Sequence, residues 1–155
     1  MLLTKEQLLE SLEGNRRLTI RIIQAFPEKE LFEYKPVDAL RPFSKMVLEI
    51  LYIEKAYIRG IALKEWEYEQ PYNDVSTKEA LLKACEETRS DTLKYWQEIT
   101  EERLTTVEKD PFFGGPPSSH FDRLFYALEN EIHHRGQGYI YLRLLGIEPP
   151  AFYER

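Results

Sequence analysis

Four long segments of this sequence repeat apolar residues at intervals of three and four. This spacing places side chains on one face of an α-helix, and no segment shows the strict alternation that is typical of a strand. Amphipathic helices bury their apolar faces most simply against one another. The pattern therefore predicts an all-α fold, an antiparallel four-helix bundle, with residues 1–155 forming a single domain.

The first segment has a clear start and a clear stop. Thr4 and Gln7 have the spacing of a capping box, in which each side chain accepts a hydrogen bond from the other residue's amide. Pro27 has no amide to donate, so the first helix is expected to end at Phe26.

Proline punctuates the connection to the second helix. The stretch 27–43 contains three prolines, which predicts a long irregular crossover with one short helical turn near residues 28–34. The second helix is expected to begin at Pro42 or Ser44 and to run to Leu63.

The last two helices are delimited in the same way. Residues 76–79 read STKE, which predicts a second capping box at the start of the third helix. Residues 101–119 are rich in glycine and proline and are expected to loop back. The last helix then runs from Ser119 to Leu145, where Gly146 ends it.

The charge balance argues against two classes of partner. With 21 Lys and Arg against 27 Asp and Glu, the net charge of −6 repels nucleic-acid backbones and anionic membrane surfaces.

No run of about 18 apolar residues is present, and the amino terminus lacks the order of a secretory signal. We therefore expect a cytoplasmic protein. Arg16, Arg17 and Arg21 follow several glutamates, so a solvated helix face is predicted for them.

The single cysteine, Cys85, lies within the apolar stripe of the third helix. It is predicted to be a small buried side chain in a reducing compartment. The alternative, a catalytic thiol, needs a neighbouring group that lowers the thiol pKa, and the adjacent sequence offers none.

The last helix has two faces that need partners. Leu124, Leu128 and Ile132 form one apolar face, whereas Asn130 and His134 lie on another. Its carboxyl-terminal half is apolar or aromatic nearly all round. Burial against both the bundle and a second subunit would explain this composition, which predicts a homodimer.

The same helix carries a specific resemblance. Residues 129–137 read ENEIHHRGQ and residues 139–146 read YIYLRLLG, and together they closely resemble the last-helix motif of DinB/YfiT-like proteins. The four-helix layout agrees with that family over the whole chain. These proteins are unrelated to the DNA polymerase of the same name.

The resemblance implies a divalent metal ion in the bundle. The family's ligands are one histidine on the second helix and two histidines four residues apart on the last, a spacing that lets two side chains converge on one ion. The corresponding positions are Glu49, Asn130 and His134, so only one is the expected histidine.

Two interpretations of Glu49, Asn130 and His134 follow. In the first, the three side chains bind a metal ion (manganese, zinc or nickel). Their oxygen donors shift the preference toward harder ions such as manganese or magnesium. Alternatively the centre is metal-free, with carboxylate and imidazole paired and the amide completing their hydrogen bonds. The metal-free interpretation includes the simplest possibility, in which the Glu49 side chain only extends into solvent.

Neighbouring polar residues are assigned structural roles. His133 points about 100 degrees away from His134, and Gln137 and Arg135 lie off the Asn130–His134 face, so packing or interface roles are predicted. His120 is expected to decorate the first turn of the helix.

The resemblance also implies a type of chemistry. Characterised relatives include bacillithiol S-transferases and a mycothiol-dependent isomerase, in which a metal would hold a low-molecular-weight thiol as thiolate beside a small-molecule substrate. The first hypothesis is therefore a metal-dependent thiol S-transferase or hydrolase. The second is a non-catalytic dimer that binds a small ligand, capped by loop aromatics. Those aromatics are Trp66, Tyr68, Tyr72, Phe112 and Phe113.

Overall fold

The computed structural model describes residues 4–155. Along the chain its elements are α1 (Lys5–Ala25), α2 (Glu28–Glu33), α3 (Phe43–Leu63), α4 (Lys78–Trp96), α5 (Glu101–Thr105), β1 (Val107–Glu108), β2 (Ser118–Ser119) and α6 (His120–Leu144). The four long helices α1, α3, α4 and α6 are those the sequence predicts, and the all-α bundle is confirmed.

The directions of the four long helices follow from the two clusters of buried apolar residues. One cluster joins the end of α1, the starts of α3 and α4 and the end of α6. The other joins the start of α1, the ends of α3 and α4 and the start of α6. Two helices therefore run each way, α1 with α6 and α3 with α4. Because α3 and α4 are parallel, the connection 64–77 must return along the length of the bundle.

Local sequence explains where the helices begin. The Thr4 capping box is present, with Gln7 N to Thr4 Oγ1 at 3.1 Å and Thr4 N to Gln7 Oε1 at 2.9 Å. A capping box also opens α6, where Ser119 pairs with Asp122. Each box satisfies amides that the first turn would otherwise leave without partners.

The predicted capping box at residues 76–79 is wrong. Thr77, one residue later than predicted, is the N-cap of α4, and its Oγ1 accepts from Ala80 N at 3.2 Å. In a capping box, the side chain three residues after the N-cap accepts a hydrogen bond from the N-cap amide. Here that residue is Ala80, whose side chain has no acceptor.

The 97–119 connection holds more structure than its glycines and prolines predict. It contains α5 and a two-residue antiparallel ladder that pairs Val107 with Ser119 and Glu108 with Ser118. A ladder this short has no alternating pattern for a sequence to reveal. It fixes the point where α6 begins.

The predicted solvated face of α1 is wrong at Arg16. Arg17 and Arg21 expose 50% and 39% of their side chains, but Arg16 is buried between Glu54 and Glu131. Ion pairing across the bundle allows the guanidinium to lie in the interior.

Cys85 is fully buried, as the sequence predicts. Burial raises the pKa of its thiol to about 11. A thiol in this state is a packing residue and not a nucleophile.

Among residues 4–155, no helix combines the length and apolarity needed to cross a membrane.

Candidate functional site between α3 and α6

The candidate site forms where Glu49 of α3 meets two side chains of α6. Glu49 Oε1 lies 2.9 Å from His134 Nε2 and accepts a hydrogen bond from Asn130 Nδ2 at 3.2 Å. The Glu49 side chain is 30% exposed, and Asn130 and His134 are buried. The structure thus brings the three residues named from the sequence together.

The helices approach closely here for two reasons. Asn130 and His134 are four residues apart and share one face of α6. One turn further on, Gly138 lies against the Phe43 ring, where a Cβ atom would come within 2.6 Å of a ring carbon. The missing side chain lets α3 and α6 pack at short distance beside the polar centre.

Arg41 is a fourth member that the sequence did not reveal. It precedes α3, and its Nη2 lies 2.5 Å from Glu49 Oε2 and 3.4 Å from His134 Nε2. Tyr141 holds the loop by donating its hydroxyl to the Arg41 carbonyl at 3.1 Å. The path of the loop before α3 decides this contact, and no local pattern encodes it.

Charge and hydrogen bonding set the protonation states. Partial burial acts to raise the pKa of Glu49, but hydrogen bonds from His134, Arg41 and Asn130 outweigh it and hold the pKa below its ordinary value. Burial, aided by the Arg41 charge, holds the pKa of His134 below its ordinary value despite Glu49. Near neutral pH the centre therefore contains a carboxylate, a neutral imidazole and a guanidinium.

The hydrogen bonds also assign the imidazole tautomer. His134 Nε2 faces the acceptor Glu49, so it carries the proton, and Nδ1 lies 3.4 Å from the Gln137 amide nitrogen, which donates to it. Gln137 also reaches His133 Nε2 at 3.0 Å. Gln137, for which a packing or interface role was predicted, thus contacts both imidazoles through its flexible side chain.

The remaining polar residues of α6 lie elsewhere. Arg135 is buried and donates to the backbone and side-chain oxygens of Asn15 at 3.0 and 2.8 Å, the packing role that was predicted. His120 does not decorate the surface, because it is fully buried and its Nδ1 lies 2.6 Å from Arg123 Nη1.

Two tyrosines lie near enough to Glu49 for its charge to act on them. The Tyr68 and Tyr126 rings are 38% and 40% exposed. Burial, together with the negative charge of Glu49, raises the pKa of both hydroxyls, so they remain protonated donors. Of the other loop aromatics, Trp66 and Phe112 pack on the core, as does Tyr72, whereas Phe113 is 57% exposed.

The metal ion that the resemblance implies needs more ligands than this arrangement supplies. Within residues 4–155, no three His, Cys, Asp or Glu side chains are grouped to hold a metal ion. Glu49 and His134 have only an amide as third partner, and a guanidinium already lies on one Glu49 oxygen. This donor set fits a divalent metal only after Arg41 has left Glu49.

Comparison with known proteins gives a family match for the whole chain. The model of the DinB family matches residues 1–155. The chain belongs to the DinB family.

Solved DinB-like structures share the fold. A DinB-like protein from Bacillus cereus has a TM-score of 0.80 at 22% identity, covering 99% of this chain and 100% of its own. The DinB-like protein YjoA from Bacillus subtilis has a TM-score of 0.73 at 22% identity, covering 96% and 99% respectively. No curated protein matches the chain.

Proposed function

We propose that this DinB protein binds a small ligand beside the polar centre between α3 and α6 and that this centre works without a metal. The contact of Arg41 with Glu49 Oε2 at 2.5 Å supports this proposal most directly. A guanidinium at that position neutralises the carboxylate, which is the electrostatic role of a bound cation.

The occupied nitrogens of His134 favour binding over catalysis. Nε2 donates to Glu49 and Nδ1 accepts from Gln137. A general base needs a nitrogen within reach of the proton that it removes, and neither nitrogen is free for this.

The groups around the centre define the ligand class. The Arg41 side chain is 45% exposed, and the Tyr68 and Tyr126 hydroxyls are protonated, so the available groups are hydrogen-bond donors. Exposed aromatic rings stack on flat ligands. The ligand that fits is a small aromatic molecule with an acceptor group such as a carbonyl or carboxylate.

A metal titration tests the metal-free centre. Protein purified without a chelating column should contain well under one metal ion per chain and should not take up added manganese, zinc or nickel. Arg41→Ala, which frees the Glu49 carboxylate, should raise the affinity for these ions. Arg17→Ala removes an arginine that, among residues 4–155, forms an ion pair with the exposed Glu10, and it serves as the matched control. Stoichiometric, tight metal in the unaltered protein would refute the proposal.

A metal-dependent thiol S-transferase or hydrolase is the second candidate, favoured by one observation. Asn130 Oδ1 is buried and accepts no hydrogen bond from the described residues, so an oxygen donor is unused beside Glu49 and His134. An oxygen with free lone pairs suits a hard divalent ion.

A conjugation assay separates the two candidates. The unaltered protein is mixed with chlorodinitrobenzene and several low-molecular-weight thiols, with and without manganese. Binding alone predicts the uncatalysed rate in every mixture. A metal-dependent acceleration that disappears in His134→Gln would favour the transferase.

A further inference from the structure

Three aromatic rings line a cavity near the start of α6. Tyr57 of α3, Tyr126 of α6 and Phe113 of the segment before α6 border this cavity, whose volume is about 390 Å³. The ring centroids lie 5.8 to 6.5 Å apart, and the ring planes meet at angles of 55 to 88°. Rings inclined in this way form the walls of a corner and not a flat stack. The result is an aromatic pocket.

The aromatic pocket is open to solvent. Phe113 is 57% exposed and Tyr126 is 40% exposed, whereas Tyr57 is 2% exposed and lies at the base. Gly114 and Pro116, which also line the pocket, are exposed. Two of the three rings are therefore available to an incoming molecule.

Two carboxylates lie beside these rings. Asp110 and Asp122 line the aromatic pocket, and Asp122 is exposed. Arg123 also lines it, but Arg123 is 2% exposed and its Nε lies 3.5 Å from Asp110 Oδ2, so these two charges offset each other. The hydrogen bonds that Asp122 Oδ2 accepts in the capping box come from the neutral Ser119 and do not offset its negative charge. The pocket therefore has a net negative charge.

The tyrosine hydroxyls respond to this negative potential. Burial and the charges of Glu49 and Asp110 raise the pKa of Tyr126. Burial and the hydrogen bond to Asp110 raise the pKa of Tyr57, despite the positive charge of Arg123. A potential that disfavours a phenolate favours a cation at the same place.

The groups of the aromatic pocket select an organic cation over a metal ion. Both Asp110 oxygens already accept hydrogen bonds, Oδ1 from the Phe112 and Phe113 amides at 2.8 Å and Oδ2 from the Tyr57 hydroxyl at 2.8 Å. A hard metal ion needs several free oxygen ligands, which this pocket does not supply. An alkylated ammonium group instead gains free energy from contact with aromatic rings.

We propose that the aromatic pocket binds a small organic cation with an alkylated ammonium group, held by the rings of Phe113 and Tyr126 and by the charge of Asp122. Tyr126 is shared with the surroundings of the Glu49 centre. The cation site nevertheless depends on Phe113 and Asp122 and not on the function proposed for that centre.

Two probes of one shape test the proposal on the full chain. Choline carries a trimethylammonium group, and dimethylbutanol, its neutral analogue, has a carbon in place of the charged nitrogen. Binding is followed by NMR of the aromatic ring signals, with those of Phe113 identified by their loss in Phe113→Leu. Choline should shift these signals saturably and bind at least about tenfold more tightly than dimethylbutanol. The neutral molecule gains neither the cation–π contact nor the attraction of Asp122.

Two variants tie the binding to the aromatic pocket. Phe113→Leu keeps an apolar side chain but removes the ring, and Asp122→Asn removes the charge but keeps an oxygen for the capping box. Both residues are exposed, so neither change should disturb the core. Each variant should bind choline about two- to fivefold more weakly. Phe152→Leu and Asp91→Asn make the same changes at positions that do not line the pocket and should bind choline as before.

Three results would overturn the proposal. They are no saturable binding of choline, equal affinity for choline and dimethylbutanol, and unchanged choline affinity in either Phe113→Leu or Asp122→Asn.

Discussion

At the scale of single residues, the Glu49 carboxylate organises the candidate site. Its two oxygens contact three side chains from two segments: Arg41 before α3, and Asn130 and His134 on α6. Charge-assisted hydrogen bonds of this kind are stronger than neutral ones, and each partner shifts the protonation of the others. Replacing one of these side chains should therefore change the pKa values of the titratable groups that remain.

Arg41→Ala should raise the pKa of His134. Burial is the main cause of the lowered pKa of the imidazole and the positive charge of Arg41 adds to it, so loss of Arg41 removes one of the effects that oppose the Glu49 carboxylate. NMR titration of the His134 ring, with Arg17→Ala as the control, measures the shift. An unchanged or lower pKa would show that the guanidinium does not act on the imidazole.

His120 should make stability depend on pH. Burial, with the charges of Arg103 and Arg123, lowers its pKa from 6.5 to about 4. Between these values the unfolded chain binds a proton that the folded chain does not, so the stabilisation present above pH 6.5 is lost as the pH falls to about 4.

Urea unfolding of the unaltered protein and of His120→Gln across this pH range checks the effect of His120. The variant should lose less stability on acidification, by up to about 1.4 kcal/mol per pH unit. Because slopes are compared, a constant cost of the substitution does not affect the result. Parallel curves would contradict the prediction.

At the scale of elements, close packing of α3 on α6 holds the site together. The Phe43 ring, which also stacks on Phe26 at 5.1 Å between centroids, fills the space where Gly138 lacks a side chain. A further close contact lies at the other end of α3, where Gly60 meets the Trp66 ring. Small residues on facing helix surfaces set how closely the helices approach.

Gly138→Ala should destabilise the fold, whereas Gly136→Ala should not. The added Cβ at Gly138 would lie 2.6 Å from the Phe43 ring, and such overpacking costs about 1–3 kcal/mol. At Gly136 nothing lies within 4 Å, so alanine should be neutral or stabilise the helix by up to about 1 kcal/mol. Thermal unfolding of both variants gives the comparison, and equal effects would be inconsistent with close packing at Gly138.

At the scale of the whole molecule, α6 shows the surface expected of a subunit interface. Its exposed apolar side chains are Phe125 at 40%, Ile132 at 43%, Ile140 at 57% and Leu144 at 59%. Apolar patches of this kind mark interaction surfaces. Leu124 and Leu128 face the core, whereas Ile132, which was predicted to share their face, is exposed, so α6 has apolar residues on two sides.

The homodimer remains a prediction, and light scattering at micromolar concentration tests it. The unaltered protein should have twice the mass of one chain, and Ile132→Lys should shift the mass toward the monomer. Leu93→Lys changes an equally exposed apolar residue on α4 and should leave the dimer intact. A monomer mass for the unaltered protein would refute the prediction.

The sequence by itself determined what depends on neighbours along the chain. Helix periodicity, the capping box at Thr4, the start of the last helix at Ser119 and the stop at Gly146 are set by residues a few positions apart, and all four are present in the structure. Family resemblance added Glu49, Asn130 and His134 as positions that meet.

Only the tertiary structure decided what depends on residues far apart in sequence. The parallel course of α3 and α4, the contact of Arg41 with Glu49 and the burial of Arg16 each join separate elements. A buried arginine and a solvated one have the same local sequence signature. The burial of Arg16 is decided by Glu54 and Glu131, which lie 38 and 115 residues away and reach it only once the helices have packed.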